Sequence, residues 1–236
     1  MNTMHVPRHI GIILDGNRRF AKRLMLKPWK GHEWGAETFR KFMDWCFDLG
    51  IEEITAYVLS IQNFNRPKHE FDYIMNVFRK EAEDWLQNRL EEFRQKGTRI
   101  SFIGRNWMLP KDVQELQNKI MEATKNNSPR RVNFAMAYGG REEIIDAVQK
   151  IAEEAKKGKI DPKKINEEVI AQHLWLNSDP ELIIRTGGDN RTSNFLTWQG
   201  IYSELIFIEK FWPEIQKEDV VACIEEYKNR ERRFGR

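Results

Sequence analysis

The chain has 236 residues, of which 40% are hydrophobic and 32% are charged, a composition typical of a folded globular protein and not of a disordered segment. Its 39 basic and 36 acidic residues leave a formal charge of only +3, so the overall charge does not favour nucleic-acid binding. No stretch approaches 18 uninterrupted apolar residues and the N-terminus lacks a signal-peptide core, so we expect a cytoplasmic protein without a transmembrane helix.

Six short apolar runs, often β-branched, predict buried strands at residues 10–14, 54–60, 99–103, 132–137, 182–185 and 204–208. Helical spacing of apolar residues predicts helices between them at residues 35–49, 69–96, 111–125, 140–157, 163–174 and 217–232. Strands that alternate with helical crossovers are typical of a mostly parallel sheet with helices on both faces. No repeat, linker or break in composition interrupts the pattern, so we expect one α/β domain over residues 1–236.

The segments that follow three of these strands share arginines, amides and small residues. They are DGNRR (Asp15–Arg19), SIQNFNRP (Ser60–Pro67) and RTGGDNRTSN (Arg185–Asn194). Ligands of parallel sheets bind beyond the carboxyl ends of the strands, so these segments are expected to share one edge. Arginine side chains and free N–H groups at a helix N-terminus bind phosphate. Two such sets on one edge predict two phosphorylated ligands, or one long one.

Asp15 does not suit a phosphate site by itself, because a bare carboxylate repels phosphate. Mg²⁺ resolves the conflict, since it commonly binds one or two protein carboxylates together with phosphate oxygens and water. Glu204, within the apolar run YSELIFI, is the candidate for a second carboxylate. A zinc site is not expected, because Cys46 and Cys223 are far apart and no CxxC motif is present; we expect buried free thiols.

Each of these features also has a structural interpretation that the sequence leaves open. Asp15 could cap a helix that starts at Asn17, and the Gly187–Gly188 pair could form only a turn. The Arg18–Arg19 pair could be a solvated helix face. His32, in the stretch GHEWG, could be a packed histidine at a helix start.

Three familiar phosphate-handling motifs are not met. Gly11 and Gly16 have Walker A spacing, but Asn17 and Arg18 stand where the lysine and the hydroxyl residue are needed. The chain has no GxGxxG stretch, which removes support for a dinucleotide site. An aspartyl phosphatase would need a second aspartate two positions after Asp15, where Asn17 stands.

Several motifs in order resemble the cis-prenyltransferases, the family of undecaprenyl diphosphate synthase and dehydrodolichyl diphosphate synthase. They are DGNRRFAK, GHEWG, SIQNFNRP, AYGGRE, IIRTGGDNRTSNFLTWQ and RERRFG, and the similarity runs from His9 to Gly235. The DDxxD signature of trans-prenyltransferases is absent, since the chain has no Asp-Asp pair. The resemblance implies a homodimeric, Mg²⁺-dependent enzyme that adds isopentenyl diphosphate units to a farnesyl or geranylgeranyl diphosphate primer. The product, with cis double bonds, would be a lipid-carrier precursor for glycan assembly that is delivered to a membrane.

The resemblance also implies residue roles. Asp15 matches the aspartate that works with Mg²⁺ at the allylic diphosphate, Asn63 an amide implicated in proton removal, and Glu204 a second metal-associated carboxylate. The implied substrate-binding residues are Gly16, Asn17, Arg18, Arg19, Phe20, Lys27, His32, Ser60, Ile61, Gln62, Phe64, Arg66, Arg185, Arg191, Thr192, Ser193 and Arg233. Among these, the set from Gly16 to Arg19 with His32 matches the allylic diphosphate site, and the set from Arg185 to Ser193 matches the isopentenyl diphosphate site. Arg233 and Gly235 match an Arg-x-Gly element that reaches the partner subunit's site.

The chain departs from the family pattern at a few positions. Pro28 stands where an arginine is usual, and Lys27 or Lys30 could substitute only without the bidentate grip of a guanidinium. Gln62 replaces a common glutamate, so no carboxylate can act as a base there. Phe20 and Phe64 replace common tryptophans and keep the aromatic character.

A growing prenyl chain must be kept from water, so an apolar tunnel is expected beside the diphosphate sites. The helix over 69–96 is its expected wall, with Ala82, Trp85 and Phe93 controlling product length; alternatively, its apolar stripe only packs on the sheet. A non-catalytic partner subunit would have lost Asp15 or the RTGG stretch, and both are present. The Arg-rich end RERRFGR could indicate a nucleic-acid-binding protein, but the low net charge argues against it. We therefore expect no nucleic-acid partner and a cytoplasmic enzyme with peripheral membrane contact.

Overall fold

The computed structural model describes residues 6–230, and one sheet of six parallel strands lies at its centre. The strands are β1 His9–Ile13, β2 Glu53–Ser60, β3 Thr98–Ile103, β4 Arg130–Tyr138, β5 Leu182–Arg185 and β6 Glu204–Phe207. Every residue of β1 and of β5 is buried, as expected for strands that are covered on both faces. The six predicted strands and the α/β fold class are confirmed, and the strand bounds agree to within two residues.

The helices lie between and after the strands, and all of them except α1 overlap helices that the apolar spacing predicts. They are α1 Asn17–Arg23, α2 Gly31–Asp48, α3 Lys68–Asp84, α4 Leu90–Gln95, α5 Lys111–Thr124, α6 Gly140–Lys156, α7 Glu167–His173 and α8 Lys217–Asn229. A π-helical turn at Trp85–Arg89 joins α3 to α4, so the helix predicted over 69–96 is nearly continuous. Among residues 6–230, no helix has the length and apolar character needed to cross a bilayer.

One predicted helix starts later than its apolar spacing suggests. Asp161 caps a short 3₁₀ turn, Pro162–Lys164, by accepting a hydrogen bond from the Lys163 N–H at 3.0 Å. The regular helix begins only after Asn166, whose side chain accepts the Val169 N–H at 3.0 Å. Two successive caps thus divide the segment that the periodicity predicts as one helix over 163–174.

The strand order β3-β4-β2-β1-β5-β6 fixes where a ligand can bind. The chain moves to one side of β1 for β2, β4 and β3, and to the other side for β5 and β6. The order therefore reverses between β1 and β5, which pair in register with Ile13 opposite Arg185. Open parallel sheets bind ligands in the crevice beyond the strand ends at such a reversal. Asp15 follows β1 and Arg185 ends β5, so both lie at this crevice.

The larger of two core clusters packs α2, α3 and α8 against the sheet. Phe42 and Trp212 are almost completely buried there, with their ring centroids 5.3 Å apart. A smaller cluster includes Tyr57 and Phe195, whose rings stack at 4.8 Å. The two cysteines are buried free thiols, as predicted.

Candidate active site

A cavity of about 680 Å³ lies at the crevice between β1 and β5 and extends along α3. Its polar lining comes mainly from the segments that follow the strands: Asp15, Gly16, Asn17, Arg18, Arg19, Lys22, His32, Ser60, Asn63, Arg66, Arg185, Asp189 and Arg191. Its apolar lining comes mainly from α2, α3 and the sheet, with Trp85, Ile120 and Trp212 added from the π turn, α5 and the 3₁₀ turn after β6. The apolar lining residues are Phe39, Ile74, Val77, Phe78, Ala82, Trp85, Phe102, Ile120, Phe134 and Trp212. One cavity therefore combines a charged mouth with an apolar wall.

Asp15 and Arg185 form the central ion pair of the mouth. The Arg185 Nη2 lies 2.8 Å from the Asp15 Oδ2, and the Arg19 Nη2 lies 3.3 Å from the Asp15 Oδ1. Arg185 is only 4% exposed, so its contacts leave it little freedom to reorient. Its Nη1 donates to the Ser193 Oγ at 2.7 Å and to the Arg191 carbonyl. Arg185 thus connects the segment after β1 with the segment after β5.

The surroundings of Asp15 keep it ionised. Partial burial opposes ionisation and is the largest single effect, but a hydrogen bond from Arg185 and its charge act in the other direction. The Gly16 N–H and the Arg19 charge add to these, and together they hold the pKa of Asp15 below its ordinary value. Asp15 is therefore a carboxylate near neutral pH. It does not cap α1, because the N-cap residue is Gly16 and no side chain caps that helix.

Glycines allow the two segments to approach each other closely. Gly16 has a φ of 104°, and a Cβ there would lie 2.8 Å from the Phe211 Cα. Gly187 has a φ of 89°, and a Cβ there would lie 2.7 Å from the Arg19 Nη2. The Gly187 and Gly188 N–H groups donate to the Lys210 and Ile208 carbonyls at 2.8 and 2.9 Å. The glycine pair therefore shapes a turn, which is the structural interpretation that the sequence left open, and its N–H groups are engaged within the protein.

Asp189 is a site residue that the sequence reasoning missed. Its Oδ2 lies 2.7 Å from the Arg191 Nη2, 3.5 Å from the Arg185 Nη2 and 3.7 Å from the Arg19 Nη2. Two carboxylates thus face three guanidinium groups at the mouth. The only signal in the sequence is its place within RTGGDNR, where an acidic residue among arginines also fits a solvated loop.

A second cluster on the other side of the mouth is built around Glu70, which sequence reasoning also missed. This carboxylate is 2% exposed and lies 3.0 Å from the Arg66 Nη1 and 3.3 Å from the Arg18 Nε. A buried carboxylate is stable only when it is paired, so Glu70 fixes both guanidinium groups. The i, i+4 spacing of Arg66 and Glu70 at the start of α3 was a usable sequence signal.

His32 lies beside these arginines, and its Nε2 is 3.5 Å from the Arg66 Nη1. Loss of hydration in the cleft, followed by the positive charges of Arg66 and Arg18, lowers the pKa of His32 to about 3. The ring is therefore neutral near neutral pH and can accept a hydrogen bond from Arg66. It is neither a cationic phosphate ligand in this state nor a merely packed histidine.

Not every predicted substrate-binding residue lines the cavity. Those that the structure places elsewhere are Phe20, Lys27, Ile61, Gln62, Phe64, Thr192 and Ser193. Ser193 still reaches the site by accepting the bond from Arg185, and the Phe64 ring packs on Phe71 at 4.9 Å. Phe20 packs edge-on against Trp34 at 5.9 Å. Arg233 lies outside the described residues.

Glu204 does not join Asp15 within one chain. It begins β6 and pairs in register with Leu182, the first residue of β5, whereas Asp15 lies beyond the last residues of β1 and β5. Asp15 therefore lies at the carboxyl ends of the parallel strands, and Glu204 lies at their amino ends. Glu204 accepts a hydrogen bond from the Arg230 Nη1 at 2.9 Å. The sheet thus separates Glu204 from Asp15 of the same chain, and the part predicted for Glu204 in metal binding stays a prediction.

The mouth fits a divalent cation that arrives with a phosphate ligand. Within residues 6–230, no group of three or more His, Cys, Asp or Glu side chains could hold a metal ion. Asp15, with Asp189 nearby, matches the usual provision for Mg²⁺, which takes one or two protein carboxylates and completes its shell with phosphate oxygens and water.

Comparisons with known proteins agree with this arrangement. A family model for undecaprenyl diphosphate synthase matches residues 13–235. The chain is 45% identical to a tritrans,polycis-undecaprenyl-diphosphate synthase (geranylgeranyl-diphosphate specific) from Methanopyrus kandleri, over 98% of this chain and 85% of that protein. It is 42% identical to an isoprenyl transferase from Thermus thermophilus, over 98% of this chain and 89% of that protein.

A solved structure shows the same fold. The chain superposes on lavandulyl diphosphate synthase from Lavandula x intermedia, crystallised with dimethylallyl diphosphate, with a TM-score of 0.91 and 33% identity. The match covers 98% of this chain and 99% of that one.

Proposed function

Because the chain belongs to the undecaprenyl diphosphate synthase family of cis-prenyltransferases, we propose that it condenses isopentenyl diphosphate onto an allylic diphosphate, with Mg²⁺. The observation that carries the proposal is one cavity with the Asp15, Arg19 and Arg185 cluster at its mouth and an apolar wall along α3. The cluster suits diphosphate, and the wall suits a prenyl chain.

The arginines would stabilise the departing allylic diphosphate. Breaking the allylic C–O bond leaves the negative charge on the diphosphate, and preorganised guanidinium groups lower the barrier by stabilising this charge as it develops. Arg18 and Arg19 follow β1, and we assign them to the allylic diphosphate. Mg²⁺ bound through Asp15 would neutralise part of the same charge. The apolar wall keeps water from the cationic carbon.

Arg185, Arg191 and Ser193 are assigned to isopentenyl diphosphate. They come from the end of β5 and the segment that follows it, and Arg185 links this segment to Asp15. Asn63 lies at the mouth, where its side-chain oxygen accepts the Ser60 N–H at 3.1 Å. We assign Asn63 an orienting part in the loss of the isopentenyl proton, because a neutral amide is too weak a base to hold that proton itself.

The direct test is incubation of the full chain with labelled isopentenyl diphosphate, Mg²⁺ and one allylic diphosphate at a time, followed by organic extraction. We expect labelled polyprenyl product that disappears when the metal is chelated. We also propose geranylgeranyl diphosphate as the preferred primer, supported by the specificity named for the relative from Methanopyrus kandleri. Absence of product with dimethylallyl, farnesyl and geranylgeranyl diphosphate would contradict the proposed activity.

The two diphosphate assignments make a separate prediction. Arg191→Ala is expected to raise the KM for isopentenyl diphosphate more than that for the primer, and Arg19→Ala the reverse. Loss of a charge-assisted contact costs about 1.5–3 kcal/mol, so we expect roughly a 10- to 100-fold rise. Steady-state kinetics with each substrate varied in turn measure the split. Equal effects on both substrates would show that the cluster is one site.

A further inference from the structure

The segment around α1 carries an unusual charge for this chain. Residues 16–32 contain no acidic residue, although the whole chain has 36. The same segment contains Arg18, Arg19, Lys22, Arg23, Lys27 and Lys30. Local positive charge is therefore concentrated beside the cavity mouth, while the chain as a whole is nearly neutral.

The arginines and the lysines of this segment differ in their partners. Arg18, Arg19 and Arg23 form ion pairs with Glu70, Asp15 and Glu214 respectively. Lys22, Lys27 and Lys30 are all exposed, and within residues 6–230 none of them forms an ion pair. The three lysine charges thus remain available to an external anionic partner.

The lysines surround an exposed apolar turn. After α1, the Met25 N–H donates to the Lys22 carbonyl and the Leu26 N–H to the Ala21 carbonyl, both at 2.9 Å, which is the pattern that ends many helices. Met25 holds the left-handed position with a φ of 57°, where glycine is usual. Its side chain is 95% exposed, and that of Leu24 is 44% exposed. We call residues 22–30 the basic tip.

The basic tip is held next to the cavity mouth. Lys22 lines the cavity, and Pro28–Lys30 forms a 3₁₀ turn after the apolar residues. The Trp29 ring packs on His69 at 4.8 Å, which fixes the tip to the start of α3. A surface bound to the tip would therefore lie close to the charged mouth.

We propose that the basic tip docks the enzyme on an anionic lipid surface. Leu24 and Met25 enter the headgroup boundary, and the unpaired lysines contact the lipid phosphates. This combination of exposed apolar side chains and flanking lysines is how peripheral segments bind membranes. The inference deepens the proposed function, because a polyprenyl product that leaves the mouth needs an apolar phase to enter.

A lipid surface fits these residues better than a nucleic acid. Binding single strands would need aromatic side chains free to stack on bases, but the Trp29 ring is already packed on His69. A 95% exposed methionine adds nothing to phosphate binding, whereas it adds apolar area to a membrane contact.

The test is co-sedimentation of the full chain with vesicles of phosphatidylglycerol and phosphatidylcholine in equal parts, and with vesicles of phosphatidylcholine alone. We expect binding to the anionic vesicles only, and its loss at high salt. Met25→Asp should weaken this binding about tenfold, and Lys30→Glu at least about fivefold. The matched controls are Ile165→Asp and Lys163→Glu, since Ile165 is also exposed and has lysines beside it. Both controls should bind as the unchanged chain does.

Activity is measured in parallel, with detergent in place of vesicles. Met25→Asp should retain the detergent activity, because Met25 does not line the cavity. If the chain makes product but ignores anionic vesicles, the docking proposal is wrong and the proposed function stands. If it binds vesicles through the basic tip but makes no product, the proposed function is wrong and the docking proposal stands. Two further results would overturn the docking proposal. One is binding of single-stranded RNA, abolished by Lys30→Glu, without any vesicle binding. The other is a change of oligomeric state in Met25→Asp.

Discussion

Asp15 stabilises at rest the same guanidinium groups that a diphosphate would engage during turnover. It contacts Arg185 at 2.8 Å and Arg19 at 3.3 Å, and Asp189 contacts the same two groups more loosely. Substrate binding therefore exchanges partners among charges that are already in place, and little reorganisation is needed. Arg185 and Arg19 are thus positioned in part by Asp189, a carboxylate that the sequence motif alone does not identify.

Replacing Asp15 with alanine should separate its chemical role from a structural one. We expect turnover to fall by at least about 100-fold, because both the carboxylate for the metal and the partner of Arg185 are lost. Arg185 keeps Ser193 and Asp189, so the chain should still fold. Asp161→Ala, which removes a true cap, should cost about 1 kcal/mol of stability and leave turnover intact. Near-normal turnover in the Asp15 variant would remove Asp15 from the catalytic site.

His32 makes a prediction about acid stability. Its pKa is about 3 in the folded chain, below the ordinary value of 6.5, so between these values the unfolded state binds more protons. Folding stability should therefore fall as pH drops from about 6.5 towards about 3, by up to about 1.4 kcal/mol per pH unit from this residue. Urea unfolding at a series of pH values should show a flatter decline for His32→Gln, while His69→Gln serves as an exposed control. An unchanged slope in His32→Gln would contradict the neutral state of His32 in the folded chain.

The helical segment formed by α3, the π turn and α4 is part of the core and also lines the cavity. Ile74 is a member of the larger core cluster, yet it also lines the cavity together with Val77, Phe78 and Ala82. The apolar stripe therefore packs on the core and also lines the cavity, and its control of product length stays a prediction. Phe93 differs from the expectation, because it is 2% exposed and packs behind Trp85 at 5.4 Å without lining the cavity.

Substitutions along this wall should change product length according to what each residue touches. Ala82→Leu should shorten the product, because the added side chain fills the cavity, and Trp85→Ala should lengthen it. Phe93→Ala should instead cost about 3–5 kcal/mol of stability, as a core truncation does, with product length nearly unchanged. Product chromatography and thermal unfolding of the three variants measure both effects. A fixed product length in all three, with altered melting temperature alone, would show that this helix does not set the length.

The elements were predictable because their signals are local, while parts of the site were not. Buried strands and amphipathic helices can be recognised from the spacing of their apolar residues. The segments that follow parallel strands then predict the end of the sheet at which the site lies. Glu70 and Asp189 were missed because their importance depends on guanidinium groups from other segments. Glu204 was linked to Asp15 through its apolar context and the resemblance, although the strand predicted over 204–208 already put Glu204 at a strand start. Likewise, the N–H groups of Gly187 and Gly188 are engaged by the distant segment at 208–210, which local reasoning does not reveal.

At the scale of the whole molecule, the mouth lies at the carboxyl ends of the parallel strands, and Glu204 lies at their amino ends. The Glu204–Arg230 pair lies near the end of α8, and the chain then continues into RERRFG. Residues 231–236 lie outside the described part, so the role of Arg233 and the homodimer remain proposals that the resemblance supports. Since Glu204 cannot reach Asp15 of its own chain, any shared metal role for it would require a second subunit.

Subunit mixing tests whether the C-terminal segment completes a neighbour's site. A chain without residues 232–236 and a chain with Asp15→Ala should each be nearly inactive. In a mixed dimer, the truncated chain keeps Asp15 and receives the segment from its partner, so one of the two sites should regain activity. We expect recovery of up to about one quarter of normal activity after co-refolding equal amounts, since about half of random dimers are mixed and each has one complete site. No recovery, with folding verified by circular dichroism, would show that the segment acts within its own chain or not at all.

The π turn at Trp85–Arg89 has a consequence for how sequences of this type can vary in length. A π turn holds one residue more than a regular α-helical path over the same span. Deleting one residue within it, such as Gln87, would restore regular α-helix while α3 and α4 keep their orientations. A deletion among residues 68–84 would instead turn everything that follows by about 100° and remove side chains from the cavity wall. The helix therefore has one place where the loss of a residue is tolerated, at the end of the cavity wall near Trp85, and not in a surface loop where length changes are usually accommodated.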